Sequence, residues 1–341
     1  MKKYNIVLFK DIPKVLLDKL NSRFNVEQFK VVDKNNLELF NNKVMKSDAI
    51  IGANWPISTA LVEKSPSLKA ISALTVGYDA YPLEILNKRG IALMNTPNVL
   101  SDSLADMAIG LMLSSARRIV TSNERVKNGE WVHGVGDSVT SNWFGEEVHH
   151  KKVGIVGCGR IGEIVAKRCF GFDMDISYYT RTRHPSVEEN YNAKHASLEQ
   201  IIKESDFIIN LLPLSKETEH LFTYEQFKQM KRTAHFINVG RGKTVKEDDL
   251  ERVLQEKLVA GIALDVFEKE PLPKQSPLMN HTSCILSPHA GNATKETNYL
   301  IAELAVNNLI NALDGSSFDN CVNFKDIKDK SPLINNKNKG A

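Results

Sequence analysis

The chain reads as a two-domain α/β protein built on open, doubly wound parallel sheets, and three observations predict this. Short apolar runs alternate with helical patterns, and the alternation occurs twice along the sequence. A glycine-rich turn in the spacing G-x-G-x-x-G joins one apolar run to a helix in mid-chain. A long helical segment, about residues 103–127, separates the two blocks, and a second, 294–313, follows the last apolar run. Sheets of this kind, covered by helices on both faces, are Rossmann-like.

In the first block the strand candidates are residues 5–9, 48–52, 68–74 and 91–94, with helical patterns such as 13–24 and 82–88 between them. In the second they are 153–156, 176–179, 207–212, 235–239, 260–266 and 284–287. These runs are nearly continuous in apolar residues, as expected of parallel strands buried on both faces. The division that follows puts residues 1–101 and 288–324 in one discontinuous domain, and 102–287, with the glycine turn, in the other. Residues 325–341 are rich in Lys and Asn and read as a disordered tail. Residues 128–150 hold Gly, Trp and His without periodicity, the composition of a linker, a dimer arm or a lid.

The glycine turn is the most informative element. In VGIVGCGRIGEIVAKRCF (residues 153–170), Gly157 makes the tight turn, Gly159 lets the backbone approach a pyrophosphate, and Gly162 packs helix on strand. Arg160 and Ile161 complete the cofactor-binding set at the helix N-terminus, where unpaired N–H groups and a partial positive charge favour phosphate. At the end of the next strand an acidic residue would select NAD(H) through the adenosine ribose. Here that place holds Thr180, Arg181, Thr182 and Arg183. Guanidinium groups bind a 2′-phosphate that a carboxylate would repel, so the expectation is NADP(H) in preference, with NAD(H) still usable.

Composition narrows the class. At 42% hydrophobic and 25% charged residues the chain is an ordinary globular protein. A net charge of +3 is too small to imply nucleic acid or an anionic membrane as a partner. The four cysteines lie far apart without metal-ligand spacing and read as reduced thiols. The N-terminal apolar run is too short for a signal peptide and no run is long enough to span a membrane, so the expected location is the cytoplasm.

Chemistry gathers in three late segments: FINVGRG (236–242), ALDVFEKEPLP (263–273) and SPHAGNAT (287–294). Each places polar residues just past an apolar strand, the edge where open α/β sheets bind ligands. Arg241, Glu270 and His289 are therefore expected on the side of the glycine turn. Adjacent His149 and His150 diverge on an extended chain and are not expected to bind a metal.

With these residues the chain closely resembles the D-isomer-specific 2-hydroxyacid dehydrogenases from about residue 3 to 323. The likeness extends to LTVGYD (74–79), TPNVLSDSLAD (96–106), GLMLSSARR (110–118) and NGEW (128–131). WFGEEVHHKKVGIVG (143–157) and FDNCVN (318–323) look most like the glyoxylate/hydroxypyruvate and 2-ketogluconate reductase branch. The resemblance implies a flavodoxin-like substrate domain and a homodimer. It implies that Arg241 binds the substrate carboxylate and polarises the keto oxygen, that His289 donates a proton to that oxygen, and that Glu270 hydrogen-bonds the imidazole. It assigns the N–H groups of Val76 and Gly77 to the carboxylate and Asp265 to the nicotinamide carboxamide. The implied reaction is reduction of glyoxylate, hydroxypyruvate or 2-ketogluconate to the D-2-hydroxy acid, with no ranking among the three. A dinucleotide-sensing corepressor on the same fold and a phosphoglycerate dehydrogenase are the alternatives. Ala290-Gly291-Asn292 departs from the Ile-Gly-Ser usual after the histidine in that branch.

Overall fold

A computed structural model describes residues 3–53, 55, 57–136 and 141–335. The chain divides into two compact units, Met1–Leu100 with Thr294–Ala341, and Ser101–Ala293.

The first unit holds a five-stranded parallel sheet of β1 (Asn5–Phe9), β2 (Asn25–Gln28), β3 (Ala49–Gly52), β4 (Ala70–Ala73) and β5 (Ala92–Met94). The order β2-β1-β3-β4-β5 is flavodoxin-like. Val7 pairs with Ile50 and Ile50 with Ile71, so the middle of the sheet is a buried apolar ladder. The C-terminal segment completes this unit. Helix Lys295–Asp314 is anchored where Ser72 Oγ donates to the carbonyl of Ala305 at 2.8 Å, and it buries Ala302, Ala305, Val306 and Leu309. Farther on, Asn323 Oδ1 accepts from Leu93 N–H at 2.9 Å. The expectation of disorder from residue 325 onward is corrected over 325–335. Short helices form at Phe324–Ile327 and Pro332–Asn335 because Ile327 and Leu333 are apolar anchors that bury fully, despite the polar composition around them. Residues 336–341 of that expected tail lie outside the described residues.

The second unit holds a seven-stranded parallel sheet: β6 (Lys152–Val156), β7 (Asp175–Tyr179), β8 (Lys194–His195), β9 (Phe207–Asn210), β10 (His235–Asn238), β11 (Gly261–Leu264) and β12 (Cys284–Leu286). Its order, β12-β11-β10-β9-β6-β7-β8, reverses direction between β6 and β9, the switch point at which such sheets open a ligand crevice. Helices Ser101–Ala116 and Arg160–Phe170 pack on one face. Helices Leu198–Glu204, Tyr224–Gln229 and Glu247–Gln255 pack on the other. Both domains are thus doubly wound α/β sheets.

Two boundaries differ from the sequence reading. The second crossing between units falls after Ala293 rather than at 288. The carboxylate of Asp265 accepts the N–H groups of Ala290 and Gly291 at 2.8 and 2.9 Å and ties that segment to the second unit. The expected long helix over 103–127 is two helices, Ser101–Ala116 and Ile119–Lys127, broken at Arg118 with φ +56°. The first buries residues along its length, and the second buries none.

Candidate active site

Strands β10, β11 and β12 are neighbours, so the loops leaving their C-terminal ends are neighbours too. Arg241 follows β10, Asp265 and Glu270 follow β11, and His289 follows β12. The second unit therefore brings Arg241, Asp265, Glu270 and His289 to one sheet edge.

Glu270 and His289 are in direct contact. Nδ1 of His289 lies 2.7 Å from Glu270 Oε2, and Glu270 Oε1 accepts the N–H of Phe267 at 3.1 Å. The carboxylate is thus fixed by a backbone donor before it meets the ring. His289 has φ +53°, and its imidazole is half-exposed. Because Nδ1 is taken, Nε2 is the nitrogen left for exchange; among the described residues it has no hydrogen-bond partner. The hydrogen bond that His289 donates to Glu270 raises the histidine pKa above its ordinary value; burial and the charge of Arg241 oppose this, and the charges of Glu270 and Asp265 reinforce it. Burial alone would push Glu270 up, but the bonds from His289 and Phe267, with the charges of His289 and Arg241, hold its carboxyl below the usual range.

The loop bearing Arg241 is built from beneath. Strands β9 and β10 both end in asparagine, and Asn210 Nδ2 donates to Asn238 Oδ1 at 3.0 Å and to Thr244 Oγ1 at 2.7 Å. Asn238 Nδ2 and Thr244 Oγ1 both donate to the carbonyl of Arg241, at 3.2 and 2.6 Å. All three side chains are fully buried. A satisfied buried network of this kind fixes the backbone on which the guanidinium stands. Arg241 Nη1 also donates to the carbonyl of Gly240 at 2.9 Å. Gly242 packs against the next loop: a Cβ there would lie 1.9 Å from the carbonyl carbon and oxygen of Phe267. The asparagine network escaped the sequence reading, although its signal is visible in the polar ends of FIIN (207–210) and HFIN (235–238).

Asp265 is 1% exposed, and each of its oxygens accepts one of the two N–H groups that follow His289. Its evident work in this structure is to hold the histidine loop, a task the sequence reading did not assign to it.

At the other end of the crevice, Gly157 has φ +96°, in the left-handed region that favours glycine. Gly159 begins helix Arg160–Phe170 with no side-chain cap, and a Cβ there would meet no protein atom within 4 Å. This open helix start fits the pyrophosphate of a dinucleotide. Ile161 packs its side chain on the core, so any cofactor contact falls to its backbone. Of the four residues after β7, Thr180 donates its hydroxyl to the carbonyl of Thr182, Arg181 is exposed, and Arg183 pairs with Glu188. Glu188 was not singled out from the sequence; its signal is an acid in the first turn of helix Pro185–Tyr191, next to the basic loop.

Val76 and Gly77 belong to the first unit, in the loop after β4. Their carbonyls accept from Asn95 Nδ2 at 2.9 Å and from Thr75 Oγ1 at 2.6 Å, while their own N–H groups have no acceptor among the described residues. Also among the described residues, no cluster of His, Cys, Asp and Glu is arranged to hold a metal ion.

Comparison with known proteins bears on the family. Residues 109–291 match the family described as D-isomer specific 2-hydroxyacid dehydrogenase, NAD binding domain. The chain is 48% identical over 326 residues to a Dictyostelium discoideum protein named "Probable 2-ketogluconate reductase", covering 95% of this chain and 96% of that one. It is 44% identical over 322 residues to glyoxylate/hydroxypyruvate reductase B of Klebsiella pneumoniae, covering 94% and 98%. Among solved structures it resembles a glyoxylate reductase from Paecilomyes thermophila, with TM-score 0.84, 28% identity and coverage of 95% and 100%. It also resembles an NADPH-dependent glyoxylate/hydroxypyruvate reductase from Sinorhizobium meliloti solved with NADP and malonate, with TM-score 0.80, 26% identity and coverage of 94% and 97%. The chain belongs to the D-isomer-specific 2-hydroxyacid dehydrogenase family and is an enzyme of that kind, with a domain for a nicotinamide dinucleotide.

Proposed function

We propose that the enzyme reduces a small 2-keto acid, among glyoxylate, hydroxypyruvate and 2-ketogluconate, to the D-2-hydroxy acid, with NADPH preferred to NADH. The observation that carries this reading is the 2.7 Å contact between His289 Nδ1 and Glu270, set in a loop where the charge of Arg241 is felt by both. When bound, the reduced nicotinamide supplies the hydride. Glu270 keeps the imidazole charged and engages it through Nδ1, which leaves Nε2–H as the proton to give. As negative charge builds on the keto oxygen, His289 Nε2 gives it a proton and becomes neutral; solvent restores the proton afterwards. Arg241 stabilises the same developing charge and binds the carboxylate, for which a planar guanidinium has matching geometry. Gly157, Gly159, Arg160, Ile161 and Gly162 would hold the pyrophosphate, and Arg181 and Arg183 the 2′-phosphate. The names of the relatives, an NADPH-dependent reductase among them, support the substrate class and the cofactor. Initial rates with the three keto acids against NADPH and NADH test it. Higher kcat/KM with NADH would overturn the cofactor reading, and absence of turnover with all three acids would overturn the substrate class.

We further infer a cytoplasmic homodimer. Ile119, Val120, Val126, Trp131, Val132 and Phe144 are exposed within one segment, an apolar surface that a second copy would cover. All four cysteines stand as free thiols, as a reducing compartment would keep them. Sedimentation of the purified protein should give twice the chain mass; a monomer at micromolar concentration would overturn the assembly.

A further inference from the structure

The basic loop at residues 180–183 meets a carboxylate from the next helix. Glu188 stands in the first turn of helix Pro185–Tyr191. Arg183 approaches it side-on: Nε donates to Oε1 at 3.0 Å and Nη2 to Oε2 at 2.5 Å. The buried Tyr178 donates its hydroxyl to the same Oε1 at 2.5 Å, and that hydroxyl accepts the N–H of His184 at 2.8 Å. The two ends of the ion pair are held unequally. The Glu188 side chain is 21% exposed and that of Arg183 is 68% exposed. Tyr178 fixes the acid, whereas solvent surrounds the guanidinium, so Arg183 is the partner that moves when the pair opens. Bonds from Arg183 and Tyr178 hold the Glu188 carboxyl down to about 2, which keeps it charged at any working pH.

A 2′-phosphate would compete for the same donors. Bidentate contact with an oxyanion uses two parallel N–H groups of one guanidinium, and Glu188 already takes such a pair. We propose that Glu188 is a specificity-determining residue for the cofactor: it holds Arg183 when the ribose carries a 2′-hydroxyl and yields it to a 2′-phosphate. This rests on the reading that residues 180–183 face the adenosine ribose. An acid directly at the end of β7 would repel the phosphate outright. An acid displaced to the following helix and paired with arginine weakens phosphate binding without abolishing it. The enzyme therefore accepts NADH while still favouring NADPH.

Binding calorimetry with 2′,5′-ADP and 5′-AMP isolates the ribose end from the chemistry. Glu188→Gln should bind 2′,5′-ADP about three- to tenfold more tightly than the wild type at low salt, with the gain shrinking as ionic strength rises. Its affinity for 5′-AMP should stay within about twofold. In an Arg183→Ala background the same substitution should lose most of its effect, as coupling through the arginine requires. Unchanged or weaker binding of 2′,5′-ADP by Glu188→Gln overturns the proposal, and so does a full-sized gain without Arg183. A wild type that binds 2′,5′-ADP no more tightly than 5′-AMP overturns the NADPH reading instead, and the Glu188→Gln shift still decides the role of the acid.

Discussion

In the proposed mechanism His289 and Glu270 set the pH range of the reaction. The hydrogen bond and charge of Glu270 raise the histidine pKa, so the imidazole stays charged to higher pH than a free one would, and with His289 as the proposed donor, reduction should decline as pH rises through that value. Glu270→Gln removes the negative neighbour, which lowers the pKa and should move this limb of the kcat profile to lower pH; an unshifted limb would remove Glu270 from its role. His289→Ala should cut kcat by roughly 10²–10⁴ while leaving NADPH binding largely intact. Arg241→Ala should lower kcat and raise KM for the keto acid together, since in the proposed mechanism it loses both polarisation and carboxylate binding. Steady-state kinetics with NADPH-fluorescence binding on the three variants checks these outcomes. That Arg241, Glu270 and His289 gather at one sheet edge was legible in the sequence because each stands in a motif beyond an apolar strand. The partners that position them were not. A buried Asp265 that accepts two backbone N–H groups, or an Asn210 under the Arg241 loop, is defined by contacts remote in sequence.

Two loops of the site are locked together at Gly242, and this makes a prediction at the level of elements. A methyl group there would overlap the backbone of Phe267 at 1.9 Å, and backbone cannot rotate away as a side chain does. Gly242→Ala must therefore push the 267–270 loop aside, at a cost of about 1–3 kcal/mol. The displaced loop carries the N–H of Phe267 that fixes Glu270, so kcat should fall more than the melting temperature suggests and the pH limb should drift toward that of Glu270→Gln. A variant with wild-type kinetics would show that the loops are independent. The same scale explains which elements could be read in advance. Central strands were visible as unbroken apolar runs. The edge strands β2 and β8 were missed because their residues are exposed or only half-buried, with no apolar run to signal them. The break at Arg118 was also invisible, for no Gly or Pro marks it; the chain turns there because burial stops, not because local sequence commands it.

The division of the chain gives the two units unequal independence. Residues Ser101–Ala293 form one continuous stretch whose seven-stranded sheet has its own helices on both faces. A fragment of these residues should fold cooperatively and bind a nicotinamide dinucleotide through the glycine turn. It should not turn over a keto acid, because it lacks Val76 and Gly77, which the family resemblance assigns to the substrate carboxylate. Residues 1–100 are in the opposite position. Their sheet depends on helix Lys295–Asp314, whose Ala302, Ala305, Val306 and Leu309 are buried and whose Ala305 carbonyl takes the hydroxyl of Ser72. Losing that cover exposes several large apolar side chains, each worth about 1.5–3 kcal/mol, against a total stability of only about 5–15 kcal/mol for a domain. Residues 1–100 alone should therefore lack a cooperative thermal transition, and joining residues 294–335 to them through a flexible linker should restore it. Circular dichroism melts and amide exchange on the three fragments decide the matter: a stable 1–100 fragment would mean that the C-terminal helix decorates the first unit rather than completes it.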